Sequence, residues 1–140
     1  MDAPEFFKCA EDGNDRTYAA WLKRRAVSLR RHDKKLGKHV HPTSYYRNAL
    51  DTAVRRSGGV DEYSGEPIDW SLAFDNRNAT SGARARRSFG AAPSIDHING
   101  AGLRLAICRD DTNTAKGCMT VARFYELCDK VAVKMPRVPA

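Results

Sequence analysis

The stretch from Pro93 to Gly117 constrains this chain more than any other. Pro93-Ser-Ile-Asp-His-Ile98 is a short run closed by an Asp-His pair, Asn99 to Gly102 is a glycine-spaced turn, and Leu103 to Cys108 is a second apolar run. Two such runs about a short turn predict a β-hairpin. The polar start Arg109-Asp-Asp-Thr112 then opens a short helix on which Asn113 and Lys116, three apart, share a face. The expected unit is strand, turn, strand, helix, with Asp96, His97 and Asn113 brought to one point. Successive strand residues point to opposite faces, so Asp96 and His97 can share a site only if the strand ends or bends there.

A chain of 140 residues is one domain by size, with room for a helical arm beside that unit. The expected division is a helical region over 1–60 and the strand–helix core over 61–140. The net charge of +7 and the isoelectric point near 9.5 favour a polyanionic partner, because clustered Lys and Arg gain affinity by releasing phosphate counterions. Nucleic acid is the first candidate. No apolar run is long enough to span a bilayer, and an N-terminus carrying Asp2, Glu5 and Glu11 has no secretory pattern, so a soluble cytoplasmic protein is expected. Cys9, Cys108, Cys118 and Cys128 lie far apart with no C-x-x-C pair, which argues for buried free thiols rather than a zinc ribbon.

Along the chain, Tyr18, Trp21, Leu22, Ala26 and Leu29 follow helical spacing, with Asp15 or Thr17 available as cap and Gly37 as stop. Lys23, Arg24, Arg25, Arg30 and Arg31 occupy the other face, and the run holds almost no acid except Asp33, so phosphate contact competes with an ordinary solvated face. His39 and His41 read as exposed loop histidines at a bend. Thr43 or Ser44 caps a second helix with Tyr46, Leu50, Ala53 and Val54 on its apolar side, ending at Gly58-Gly59. Asp61 to Pro67 is turn chemistry, with Gly65 placed for positive φ. Ile68, Trp70, Leu72 and Phe74 alternate as in a strand, while Asp69 before Trp70 leaves a short helix open. Residues 75–92 have little to bury; with Arg77, Arg84, Arg86 and Arg87 they read as a loop contacting nucleic acid. Thr120 caps a last helix whose buried stripe is Val121, Phe124, Tyr125, Cys128 and Val131.

Asp96-His97, Asn113-Thr-Ala-Lys-Gly117 and the upstream Tyr63-Ser-Gly-Glu-Pro67, in this order, resemble the HNH (ββα-metal, His-Me finger) nucleases, including HNH-type proteins of phage and bacterial genomes. The resemblance covers roughly the last 80 residues. It implies a ββα-metal nuclease core; with the helices read above, the expected fold is α+β, that core with an N-terminal helical hairpin and a C-terminal helix. It also implies a metal-dependent endonuclease acting on DNA, with RNA as the other candidate substrate. Phosphodiester hydrolysis needs a base for the attacking water and a cation on the developing oxyanion. His97 is the expected base; Asp96 and the amide oxygen of Asn113 are an all-oxygen pair suited to Mg²⁺, with Mn²⁺ as substitute. Lys116 either neutralises phosphate or covers the helix, and Asp110 and Asp111 either cap that helix or add a ligand.

In zinc-bearing relatives the Asp61 turn is a C-x-x-C-G knuckle. Here Asp61 and Ser64, then Arg109 and Thr112, stand at the four ligand positions, so no structural Zn²⁺ is expected. The replacement staple is either an Asp61–Arg109 ion pair or Asp61 accepting backbone N–H groups near the helix start. The middle Asn of the motif has no counterpart; Arg104 stands at its place, with Asn99 available to tie the turn. The competing reading is a non-catalytic nucleic-acid-binding protein that keeps the fold.

Overall fold

The computed structural model describes residues 1–74, 90–98 and 103–135. Residues 75–89, with Arg77, Arg84, Arg86 and Arg87, and the turn 99–102 lie outside the described residues. After a short α1 (Glu5–Lys8), α2 (Asp15–Lys35) and α3 (Thr43–Ser57) form an antiparallel hairpin. The helical spacing of Tyr18, Trp21, Leu22, Ala26 and Leu29 on α2, and of Tyr46, Leu50, Ala53 and Val54 on α3, turns every one of these residues into the core.

Two hydroxyl bonds lock the hairpin: Tyr18 donates to Asp51 (2.6 Å) and Tyr46 to Asp33 (3.0 Å). The caps differ from expectation. Asn14 caps α2, in a reciprocal box with Thr17, because Asp15 is taken by the backbone N–H of Ala3 (2.8 Å). Neither Thr43 nor Ser44 caps α3, whose N-cap is Pro42. Gly58, at φ +62°, ends it in the left-handed conformation that glycine adopts most readily.

The turn after α3 closes through a bridge between Val60 and Pro67, with Gly65 at φ +74°. The alternation from Ile68 to Phe74 does not give a strand. Trp70–Ala73 is one turn of 3₁₀ helix, and the Asp69 carboxylate caps it by accepting from Ser71 N–H (3.0 Å). A strand needs a ladder partner, and the sheet among the described residues has two strands only. Ile68, Trp70 and Phe74 serve the core instead: Trp70 packs against Phe6, Phe7 and Trp21, and its indole N–H reaches Gly59 O (3.1 Å).

The sheet is β1 (Pro93–His97) paired antiparallel with β2 (Leu105–Arg109), with Ile95 opposite Ile107 and Asp96 opposite Ala106. Helix α4 (Asp110–Lys116) follows β2 without a break, so the expected strand, strand, helix order is present in a mixed α+β chain. Asp110 and Asp111 lie inside its first turn, where the Asp111 carboxylate accepts from Thr112 N–H (2.8 Å). Helix α5 (Val121–Lys134) starts at Thr120, whose hydroxyl accepts from Arg123 N–H (3.2 Å).

The apolar stripe of α5 is not buried. Val121 and Phe124 are half-buried, Tyr125 and Val131 are 43% and 50% exposed, and Cys128 is exposed. The helix rests on the rest of the chain near its start, where Phe124 and Tyr125 meet Tyr63 at ring distances of 6.1 and 6.3 Å. The expected buried thiols reduce to one: Cys108 is buried, and Cys9, Cys118 and Cys128 are exposed. The core draws on both sides of residue 60, joining Phe7, Tyr18, Trp21 and Leu50 to Ile68, Trp70, Leu105 and Ile107. No helix among the described residues is long and apolar enough to cross a membrane.

Candidate functional site

The strand–helix unit is held to the preceding turn by one carboxylate. Asp61 is 1% exposed. It accepts three backbone N–H groups, from Tyr63 (2.7 Å), Ser64 (3.0 Å) and Arg109 (2.8 Å). Bonds to an ionised acceptor are stronger than neutral ones, which is how this burial is sustained. Asp61 and Arg109 therefore meet through the arginine backbone. The guanidinium turns away to Asp111 (2.8 Å) and Pro67 O (3.3 Å), because α4 offers a closer carboxylate two residues on. Glu62 adds a second tie, exchanging bonds with the N–H and C=O of Ile107 (2.9 and 3.0 Å).

Above that turn, Asp96 and Lys116 form a buried ion pair at 2.9 Å, with exposures of 8% and 3%. The Tyr63 hydroxyl donates to the same carboxylate (2.5 Å); burial first, and this bond second, push the tyrosine above its usual range. Asn113 ties α4 to β1, its amide NH₂ donating to Ser94 Oγ (2.9 Å) and Ile95 O (3.4 Å). Asn113 and Lys116 thus share a helix face and meet β1, yet the carboxylate meant for a cation already has one. An ion at Asp96 would have to displace the Lys116 ammonium, which at 3% exposure has no water to retreat to. Asp96 and Asn113 fit a divalent cation poorly in this arrangement.

His97 goes elsewhere. It stays in register opposite Leu105, so β1 runs through it without the bend that would join it to Asp96. Its ring stacks on His32 of α2 (centroids 5.1 Å, planes 13° apart), and its Nε2 lies 4.0 Å from Asp33 Oδ1. Asp33 is buried, and its other oxygen accepts the Tyr46 hydroxyl. His32 Nδ1 is also 4.0 Å from Asp33 Oδ1. Both Asp33 Oδ1 and His97 Nε2 are buried without a hydrogen-bond partner. His32, Asp33 and His97 could hold a metal ion, with ligand atoms within 4.8 Å of one another. Burial lowers the imidazole pKa of His97 below its ordinary value, against the opposing pull of Asp33, which keeps the ring neutral at pH 7. A cleft of about 340 Å³ between α2 and β1 opens onto both histidines, with Arg25, Ser28 and Ser94 also in its walls.

Arg25 is the residue of the basic face of α2 that lines this cleft. Lys23, Arg24, Arg30 and Arg31 are exposed, but Arg30 Nε donates to His41 O (3.1 Å) and the half-buried Arg25 lies over the Trp21 ring (5.8 Å). His39 is exposed in the α2–α3 connection, and the half-buried His41 ring packs at a tilt against Tyr45 (centroids 4.2 Å). Sequence reasoning missed His32 and Asp33. The signal was present: Leu22, Ala26, Leu29 and Asp33 step by four, three and four, which puts an acid on the apolar stripe of α2.

No family model matches the chain, and neither a curated protein nor a solved structure matches it.

Proposed function

We propose that this chain is a metal-dependent endonuclease of the HNH type, hydrolysing phosphodiester bonds in DNA. The observation that carries the reading is the β1–β2–α4 unit, which ends its first strand in Asp96-His97, ties Asn113 and Lys116 to that strand, and opens His97 onto a cleft beside the basic face of α2. The partner is the polyanion that the charge favours, gripped by Lys23, Arg24 and Arg31. His97, neutral at pH 7, takes the proton of the attacking water, and Asp33, 4.0 Å away, stabilises the imidazolium that results. Lys116 serves Asp96 rather than phosphate. The divalent ion of this reading is Mg²⁺ or Mn²⁺, which Asp96 can take only if Lys116 leaves it, and no structural Zn²⁺ is expected at Asp61, Ser64, Arg109 and Thr112.

Incubating supercoiled plasmid with the protein and Mg²⁺ or Mn²⁺ should give nicked circles, and EDTA should prevent them. His97→Ala should abolish nicking while the gel shift of the same DNA survives. The closed Asp96–Lys116 pair favours one other reading, a nucleic-acid-binding protein without activity; gel shifts with no nicking under any divalent ion would establish it. The grip on phosphate has its own measurement. Replacing Lys23, Arg24 and Arg31 by Gln should flatten the dependence of log affinity on log salt by about one unit per lost contact, and an unchanged slope would make this face an ordinary solvated one.

A further inference from the structure

We infer that His32, Asp33 and His97 form a binding site for one divalent transition-metal ion of borderline softness, such as Zn²⁺ or Co²⁺, between α2 and the end of β1. The donor set is two imidazoles and one carboxylate, the mixture that Zn²⁺ and its neighbours accept and Mg²⁺ does not favour. Asp33 Oδ1 stands 4.0 Å from both His32 Nδ1 and His97 Nε2, too far for a hydrogen bond and a little wider than the roughly 3.3–3.6 Å between two ligands of a tetrahedral ion with bonds of about 2.0–2.2 Å. A closure of a few tenths of an ångström per side chain, with a turn of the exposed His32 ring out of its stack on His97 so that the two lone pairs converge, brings all three onto one ion.

Two features separate the cluster from a chance meeting of polar groups. Asp33 Oδ1 and His97 Nε2 are buried with lone pairs that nothing satisfies, a costly arrangement that an ion between them removes. Asp33 is also oriented from behind, since Tyr46 holds Oδ2 and turns Oδ1 toward the histidines. The cleft at His32 and His97 supplies an entry path and room for an exchangeable fourth ligand. The site does not depend on the endonuclease reading. It does bear on it, because an ion on the buried Nε2 holds the ring in its neutral form with the proton on Nδ1: with Zn²⁺ bound, His97 is no longer a base.

The test is calorimetric titration of ZnCl₂ into the metal-free full chain without DNA, with Co²⁺ absorption as a second readout. One ion should bind per chain, and His32→Ala should weaken it by more than about a hundredfold. His32 is an exposed helix residue, so this variant should keep its far-ultraviolet circular dichroism; Asp33→Asn is the companion variant. Tyr46→Phe, which removes only the orienting bond, should weaken binding roughly tenfold. Controls replace His39 and His41 by Ala, and exposed Cys9, Cys118 and Cys128 by Ser, and both should bind as the parent does. The site is overturned if no Zn²⁺ binds, if His32→Ala binds as the parent does, or if only the controls lose the ion. Plasmid nicking is measured separately, so loss of the endonuclease reading leaves these outcomes unchanged.

Discussion

Asp61→Ala should cost roughly 3–5 kcal/mol of folding stability, a large share of what a domain of this size has. The carboxylate is buried and takes three backbone N–H groups, two from the turn and one from Arg109 at the end of β2. Truncation leaves these donors facing a void. The turn then keeps Glu62 on Ile107, the Tyr63 hydroxyl on Asp96 and the Arg109 guanidinium on Pro67 O as its ties to the sheet. Arg109→Ala is the informative contrast. Its backbone still donates to Asp61, and what is lost is a partly exposed pair with Asp111, worth at most about 1 kcal/mol, and an exposed bond to Pro67 O. Urea denaturation of both variants decides the matter: equal midpoints would mean that the Asp61 carboxylate is not the clamp.

Lys116→Met should destabilise by about 3–5 kcal/mol, because it leaves the Asp96 carboxylate in the interior with only the Tyr63 hydroxyl for company. Asp96→Leu should cost a similar amount by stranding the ammonium. The double variant should recover most of the loss, since two apolar side chains of similar volume replace two desolvated charges. A double-mutant cycle reads the coupling directly, and simple additivity of the single losses would show that the two side chains do not sense each other. The ion pair, on this view, fixes where α4 sits against β1.

The long helices were legible because their apolar residues recur at the helical period: Tyr18 to Leu29 and Tyr46 to Val54 have one way to bury together. The hairpin was legible from β-branched runs about a glycine turn. Trp70 was ambiguous, since four alternating residues fit a strand or a single helical turn until one knows whether a neighbouring strand exists. The stripe of α5 misled for a related reason: amphipathic spacing shows that a face is apolar, not that anything covers it. At the candidate site, the adjacency of Asp96 and His97 in sequence suggested one shared task. The pleat of β1 sends them to different partners, Lys116 on α4 and Asp33 on α2, and the second of these lies too far along the chain for spacing to reveal.

The shared core also sets an order of events during synthesis. Phe7, Tyr18, Trp21, Leu22 and Leu50 emerge first, but the residues that complete their burial, Trp70, Leu105 and Ile107, lie far downstream. At about 5–20 residues per second, the α2–α3 hairpin waits roughly 3–10 seconds outside the ribosome with its apolar face uncovered. Because these contacts span long loops, closure is slow by its entropy as well as by supply. The helical hairpin and the strand–helix unit are therefore not interchangeable modules. A chain severed between Gly58 and Asp61 would leave the hairpin in its nascent, uncovered condition, open to any holdase or to another copy of itself.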